Sequence, residues 1–253
     1  SEVTMQAGTG SNVAFGDIAF VDSEAVKLHT SAGANGDLFI YSSTDGVAAV
    51  GGSLSITAKN GNITQSLPVT VGTTSSFTTT ANNTTITLSN TSNAFAGLVT
   101  LSTTGTTAHV IIDNGTTTLG IDTSTVGGDL TLTSGAAAGI TDYGNVTVCG
   151  NLVAKTNANS GVIKMGTLRV DGTVALTTHG DGNATIVNDD DINFATSIVR
   201  GNLSATATTN DITDTGTLTI SGTSTFTTSQ SNDDSNFGSV NVFTGVVALS
   251  TSD

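Results

Sequence analysis

The sequence predicts an all-β fold, a single-stranded right-handed parallel β-helix, on three observations. Apolar and polar residues alternate in short runs, as in Leu54-Ser55-Ile56 and Leu218-Thr219-Ile220, and this period of two is typical of strands with one buried face. A glycine-led strand pattern recurs along the whole chain, and a longer period of about 74 residues lies above it. Such nested periods are typical of solenoids, whose coils stack on one another.

The composition supports this class and excludes others. Only 10% of the 253 residues are charged, 4% are aromatic and none is Trp, so exposed helices, which carry many charges, are not expected. Hydrophobic residues make up 36%, which argues against disorder. A β-sandwich is the second-choice fold, but it gives no reason for two nested periods.

The short period is carried by segments of the form Gly-x-apolar-x-apolar. They occupy residues 16–20, 36–40, 52–56, 97–101, 128–132, 166–170, 216–220 and 238–242. Neighbouring copies, with partial ones at Gly150 and Gly201, often lie about 15 to 22 residues apart. One such strand per coil predicts about 13 coils of about 19 residues, hence a rod of roughly 60 Å. Glycine and asparagine are expected at the corners, which need positive φ.

The long period is carried by a block that occurs three times. It reads Gly52-Ser53-Leu54 with Ile63-Thr64-Gln65, Gly128-Asp129-Leu130 with Ile140-Thr141-Asp142, and Gly201-Asn202-Leu203 with Ile212-Thr213-Asp214. We therefore predict a single β-solenoid over residues 1–253, with a partial superrepeat at 1–50, superrepeats at 51–126 and 127–199, and a partial superrepeat at 200–253. Each superrepeat is expected to hold about four coils. The partial units at both ends favour either a window of a longer array or a subunit that stacks end to end.

Charge and cysteine content limit the possible partners. The chain has 20 Asp+Glu against 6 Lys+Arg and a formal net charge of -14, so a nucleic-acid partner is not expected. One cysteine excludes a disulfide framework and a multi-cysteine zinc site. No apolar stretch is long enough to predict membrane insertion.

Single candidate residues point to no catalytic or cofactor-binding site. His29, His109 and His179 are scattered and form no cluster with cysteine or with each other, whereas a metal or catalytic site needs converging groups. Cys149 has no basic residue near it in sequence and is expected to be a buried, inert thiol.

Calcium is the one cofactor for which the sequence offers candidate residues. Asp189, Asp190 and Asp191 form the densest acidic stretch, and Asp233-Asp234 is the next. Clustered carboxylates at a turn can bind Ca²⁺ through oxygen. Neither stretch fits a known calcium-loop pattern, so a solvated acidic corner is the preferred interpretation.

Threonine suggests ice binding, since threonine ladders on a flat face can order water. The triplets Thr85-Ile86-Thr87, Thr131-Leu132-Thr133 and Thr217-Leu218-Thr219 lie too far apart to stack in successive coils. Threonine's preference for strands explains them more simply.

An enzyme acting on polysaccharides is a third possibility, because such sites need paired carboxylates or basic residues in an open groove. The chain offers only 6 Lys+Arg and two Tyr, and no long insertion that could wall a cleft. We therefore expect no catalysis.

The runs at 128–132, 139–142 and 211–223 resemble repeats of filamentous-haemagglutinin-like bacterial exoproteins. The resemblance covers nearly the whole chain and implies a right-handed β-helix outside the cell, in a secreted or surface adhesin. The expected function is a structural or adhesive rod that binds unidentified cell-surface or matrix receptors. The alternative is a filament or surface-layer subunit that assembles with copies of itself through its open coils.

Overall fold

The computed structural model describes the strand residues 3–6, 18–22, 26–29 and 38–41, then residues 48–66 and 68–251, with side chains from residue 50 onward. The described part contains strands and turns and no helix. It accordingly holds no helix that is long and apolar enough to cross a membrane.

The strands are short, mostly of three to five residues. In chain order they are β1 (Val3–Gln6), β2 (Ile18–Asp22), β3 (Val26–His29), β4 (Leu38–Tyr41), β5 (Ala48–Val50), β6 (Leu54–Ala58), β7 (Ile63–Gln65), β8 (Val69–Val71), β9 (Ser75–Asn82), β10 (Ile86–Leu88), β11 (Ala94–Phe95), β12 (Leu98–Thr104), β13 (Val110–Asp113), β14 (Leu119–Ile121), β15 (Ser124–Val126), β16 (Leu130–Ser134), β17 (Ile140–Asp142), β18 (Val146–Val148), β19 (Leu152–Asn159), β20 (Ile163–Val170), β21 (Thr173–His179), β22 (Ala184–Asn188), β23 (Ile192–Phe194), β24 (Ser197–Val199), β25 (Leu203–Ala207), β26 (Ile212–Asp214), β27 (Leu218–Ile220), β28 (Ser224–Thr228), β29 (Ser235–Asn236), β30 (Val242–Phe243) and β31 (Val247–Thr251).

These strands form two large sheets, of 15 and 13 strands, and a small sheet of β5, β8 and β11 among the described residues. Pairing is parallel, and each strand stacks on its equivalent in the next coil. One column of the 15-strand sheet, for example, runs through Ile63, Ile86, Val110, Leu130 and Leu152. The chain is a parallel β-solenoid, which confirms the predicted fold class. The right-handed turn stays a prediction, favoured by the handedness of parallel crossover connections.

The number of coils differs from the prediction. The solenoid has about 9 turns of about 22 residues, not 13 turns of 19. The reason is that two glycine-led strands can belong to one turn: Leu203 begins β25 in the 13-strand sheet, and Leu218 begins β27 in the 15-strand sheet. At about 4.8 Å per rung, nine turns span roughly 43 Å.

The superrepeat also holds fewer coils than expected. The column that starts at Leu54 passes through Ser75 and Val99 and reaches Ala205 after seven turns. Two superrepeats therefore fill seven turns, so each one fills three and a half, not four. In agreement, the equivalent strands β6, β16 and β25 lie in the 13-strand, the 15-strand and again the 13-strand sheet.

A single hydrophobic cluster fills the space between the sheets along the described coils. Strands such as β6, β16 and β25 alternate buried and half-buried residues, as the sequence period predicts. Phe77 packs edge-on against Phe95 with ring centroids 5.7 Å apart. Phe194 of the 15-strand sheet meets Phe226 of the 13-strand sheet at 6.2 Å, so the two large sheets face each other across one narrow core.

Candidate functional site

A column of hydroxyl side chains runs along the outer face of the 13-strand sheet. Thr57, Thr78, Ser102, Thr125 and Thr147 stack in five successive coils, and we call them the hydroxyl column. Their inward neighbours in the strands are buried, so alternation directs these side chains outward. None of the five hydroxyls is hydrogen-bonded to another group in the described part of the chain. The column is unbroken, although the threonine triplets noted in the sequence lie on other strands.

The hydroxyl column leads into a groove on the same face. In the coil after Thr147 its place is taken by Arg169, and Asp189 and Thr208 follow on the next two coils. The groove has a volume of about 360 Å³. Its lining residues are Asn145, Thr147, Gly166, Thr167, Leu168, Arg169, Val187, Asp189 and Thr208.

A bulge in β20 shapes the floor of the groove. The register between β20 and β22 shifts between Met165 and Leu168, and such a shift bends a strand. The Asp142 carboxylate fixes the bend, because its oxygens accept the N–H groups of Gly166 at 2.8 Å and of Thr167 at 2.7 Å. A methyl group added at Gly166 would have no atom within 4 Å. Glycine at this position therefore leaves the groove open.

The groove and its surroundings carry more negative than positive charge. The Arg169 guanidinium lies 3.3 Å from the Asp171 carboxylate and 3.7 Å from that of Asp190. The Thr208 hydroxyl donates to Asp189 at 3.2 Å. More carboxylates than cations surround the groove, so its electrostatic potential does not favour an anionic ligand.

The three aspartates predicted as calcium candidates each have different neighbours and do not converge on one point. Asp189 accepts from Thr208, and Asp190 accepts from the Asn210 amide at 2.7 Å. Burial raises the pKa of the Asp191 carboxyl, and the neighbouring negative charge of Asp190 raises it further. No group of three or more His, Cys, Asp or Glu side chains in the described ranges could hold a metal ion. Calcium binding by Asp189, Asp190 and Asp191 stays a prediction without geometric support.

The other candidate residues are dispersed. The His109 Nδ1 accepts the Asp129 N–H at 2.9 Å and lies 3.3 Å from the Asp129 carboxylate, so its contacts are with one neighbouring coil and not with another candidate residue. His179 ends β21 and is exposed, and the side chain of His29 lies outside the described residues. Cys149 is exposed, so the buried thiol expected from sequence is wrong. The physical reason is alternation: Val148 points inward, and the next residue begins a turn.

Sequence reasoning missed the role of the residue after each Ile-Thr pair. Asp214 accepts the N–H groups of Gly238 at 2.7 Å and of Ser239 at 3.0 Å, as Asp142 does for the coil above it. Gln65 accepts the Asn90 N–H at 3.4 Å in the same way. The signal was present in the repeated Ile-Thr-Asp motif, but its partners lie about 24 residues ahead, which only the coil register reveals.

Comparison with protein-family models identifies a family of repeats. A family model described as repeats of unknown function (DUF5649) matches residues 16–102 and 181–250, which is more than half of the chain. The two matched ranges contain the first and the third copy of the Ile-Thr block. Searches of the curated proteins and of the solved structures returned no match.

Proposed function

Because the chain belongs to the DUF5649 family of repeats of unknown function, we propose a function from its shape: it is a stiff, non-catalytic rod for adhesion or spacing outside a bacterial cell. The proposal includes that the chain is a segment of a filamentous-haemagglutinin-like bacterial exoprotein. One observation carries it, the uninterrupted parallel ladder over about 9 turns with a single core.

The ladder supports a mechanical function. In a solenoid each coil contacts only its neighbours, and backbone hydrogen bonds run along the axis. A pull along the axis is therefore shared among the hydrogen bonds of every strand in a coil. A chain with this construction can hold a binding surface at a fixed distance from its anchor.

The proposal that the rod is non-catalytic rests on the chemistry of the groove. Its lining has one carboxylate, Asp189, which accepts a hydrogen bond from the Thr208 hydroxyl at 3.2 Å, and no second carboxylate to pair with it as polysaccharide hydrolysis requires. Arg169 is paired with the carboxylates of Asp171 and Asp190, which partly neutralise its charge. Incubation with neutral and acidic glycans should release no new reducing ends, and measurable cleavage would revive the polysaccharide-acting enzyme that the sequence left as a third possibility.

The rod shape can be tested in solution. Small-angle X-ray scattering of the monomer should give an elongated particle whose cross-section stays constant along its length. The length should increase by roughly 4.8 Å for each coil added by a designed insertion. A compact particle would contradict the proposal.

The location and adhesion can be tested on cells. Antibodies against the chain should label intact producing cells, and mild external protease should remove the label. The purified chain, linked to beads, should retain host cells or matrix more than beads carrying a net-charge-matched protein. Labelling that appears only after lysis would reject the extracellular location.

A second candidate function, end-to-end assembly, is favoured by the last described coil. Val247 and Leu249 pair with the buried residues Ser224 and Phe226, yet are 41% and 57% exposed. Open strand edges with apolar side chains template further pairing. A second copy that stacks there would continue both the ladder and the core.

Sedimentation velocity over a hundredfold range of concentration tests this assembly. Species that lengthen with concentration in wild type and are lost in Leu249→Lys would support it. The control Val153→Lys changes an exposed side chain in the middle of the 15-strand sheet and should leave assembly unchanged. A monomer at every concentration would reject it.

A further inference from the structure

We propose that the groove along Thr147, Arg169, Asp189 and Thr208 binds a neutral saccharide. This inference rests on the proposed adhesive function for its biological role, and it names the class of ligand. The binding itself can be measured on the purified chain without reference to location or rod shape.

The size and position of the groove fit a sugar. Its volume of about 360 Å³ is at the lower end of small-molecule sites. It lies on the outer face of a rigid sheet, so the lining residues are held by the ladder above and below. A rigid lining lowers the ordering cost of binding a small ligand.

The lining offers the hydrogen-bonding groups that a polyol needs. The Thr147 hydroxyl and the Asn145 side-chain amide have no hydrogen-bond partner among the described residues, so both are available to a ligand. Arg169 and Asp189 stand in adjacent coils and present donors beside acceptors. A pair of neighbouring sugar hydroxyls can accept from the guanidinium and donate to the carboxylate at the same time.

The lining also has an apolar part. Val187 is half-buried and forms part of the surface between the polar groups. The C–H face of a pyranose ring can cover such a side chain, which removes apolar surface from water. A free polyalcohol or a metal ion would leave this patch exposed.

Two other ligand classes fit less well. An anionic sugar would approach Asp142, Asp189 and Asp190, and only Arg169 offsets their charge. A divalent cation would meet the Arg169 guanidinium and finds no group of three ligating side chains in the described part of the chain. A neutral saccharide can use the polar groups of the groove and brings no charge of its own.

Gly166 provides a test that does not disturb the fold. Its Cβ position is open, so the side chain in Gly166→Leu extends into the groove without pushing the backbone. Gly238 is the matched control, because its Cβ position meets only the Asp214 Oδ1 at 4.0 Å. It has the same kind of aspartate contact and lies beside the 15-strand sheet, away from the groove.

The experiment is saturation-transfer NMR followed by calorimetry with neutral gluco-, manno-, galacto- and xylo-oligosaccharides. Polygalacturonate and calcium chloride serve as the anionic and cationic probes. At least one neutral series should bind, and Gly166→Leu should weaken that binding at least about tenfold. Gly238→Leu should bind as wild type does, and the melting curves of both variants should show that they are folded.

Three results would overturn the inference: no binding to any neutral series, equal binding by Gly166→Leu and wild type, or stronger binding of either charged probe. Thr147→Val gives a second variant, which removes one hydroxyl at constant volume and should also weaken binding. Failure of saccharide binding in a protein that still scatters as a rod and adheres to cells would reject this inference alone. Failure of both would reject the adhesive function as well.

Discussion

At the scale of single residues, the Gly-Asx pair before a strand connects one coil to the next. The Asp129 carboxylate accepts the Asn151 N–H at 2.7 Å, and the Asn151 side chain in turn accepts the Thr173 N–H at 2.9 Å. The glycine before Asn151 lies against this contact: a Cβ at Gly150 would stand 2.5 Å from the Asp129 Oδ1 and 2.7 Å from the Gly128 carbonyl carbon. The recurring glycine is therefore needed for the close approach of coils.

Alanine substitutions at Gly150 and Gly166 should separate this packing requirement from the general effect of replacing a glycine. Gly150→Ala should lower the free energy of unfolding by about 1–3 kcal/mol, since it overpacks a backbone contact. Gly166→Ala should raise it by roughly 0.4–1 kcal/mol, because its Cβ position is free and the unfolded chain loses entropy. Urea unfolding measures both. Equal effects at the two sites would contradict the assignment.

Removing the hydroxyl of two buried serines should change the free energy of unfolding in opposite directions. The Ser75 hydroxyl is buried and has no partner among the described residues, whereas the Ser134 hydroxyl donates to the Thr117 carbonyl at 2.9 Å. Ser75→Ala should raise the free energy of unfolding by about 1 kcal/mol, and Ser134→Ala should lower it by about the same amount. Thermal melting of the pair checks this. A loss of stability in both variants would show that Ser75 has a partner.

At the scale of strands, buried asparagines replace backbone pairing where a strand is interrupted. The Asn188 Oδ1 accepts the Val170 N–H at 2.8 Å, and its amide donates to the Val170 and Asp191 carbonyls. Asn114 pairs with both backbone groups of Phe95 in the same way. Each side chain thereby satisfies groups in the core that a turn would leave unpaired.

Truncation of this amide should be costly. Asn188→Ala leaves the buried Val170 N–H without an acceptor, and each such orphaned group costs about 1–3 kcal/mol. Asn202→Ala is the matched control: its Oδ1 also accepts a strand N–H, that of Thr223, but at an exposed position. Water can replace that contact, so the control should change stability by less than about 0.5 kcal/mol. Comparable losses in chemical denaturation would contradict this interpretation.

Strands were predictable where one local signal was sufficient. Glycine followed by an apolar alternation correctly places the starts of β6, β16 and β25. The same pattern fails at residues 238–242, where Val240 is 85% exposed and no strand begins before Val242. Gly166 lies inside β20 and marks its bulge, which a pattern of identical form could not distinguish from a strand start.

The groove could not be predicted, because it depends on the coil register. Thr147, Arg169 and Asp189 are each about 20 residues apart in sequence, and they stack only if the insertions at the corners have the lengths observed. An error of three residues per coil, such as the one that gave 13 coils, places them on different faces. The sequence motifs alone thus identify the stacked strands, but not which outward side chains become neighbours in successive coils.

At the scale of the whole molecule, acidic charge should couple stability to pH. Burial raises the pKa of Asp191 and of Asp113 above their ordinary value of 3.8; like charges add to the effect at Asp191, and the Gly115 N–H and Lys155 oppose it at Asp113. The folded chain then binds more protons than the unfolded chain between 3.8 and the raised value. Protonation of these two carboxyls therefore raises the free energy of unfolding as pH falls through this window. Above the window both are ionised and this stabilisation is absent.

Asp191→Asn tests this coupling. The variant lacks the unfavourable charge, so it should be more stable than wild type at pH 7, and the difference should shrink as pH approaches about 4. Urea midpoints at a series of pH values, measured in low salt and again in 1 M salt, follow the difference. Salt should reduce the part that comes from the neighbouring carboxylates. A difference that is constant with pH would reject the assignment.

Each superrepeat fills three and a half turns, so equivalent side chains of successive superrepeats lie on opposite sides of the molecule. A side chain that recurs in every superrepeat points to one side in one copy and to the other side in the next, as Asp142 and Asp214 do in the 13-strand and 15-strand sheets. Copies that face the same way are seven turns apart, or roughly 34 Å. A flat receptor surface can therefore engage only alternate copies, while the remaining copies stay available to a second surface, so a longer array of this kind would act as a bridge with equal valency on its two sides.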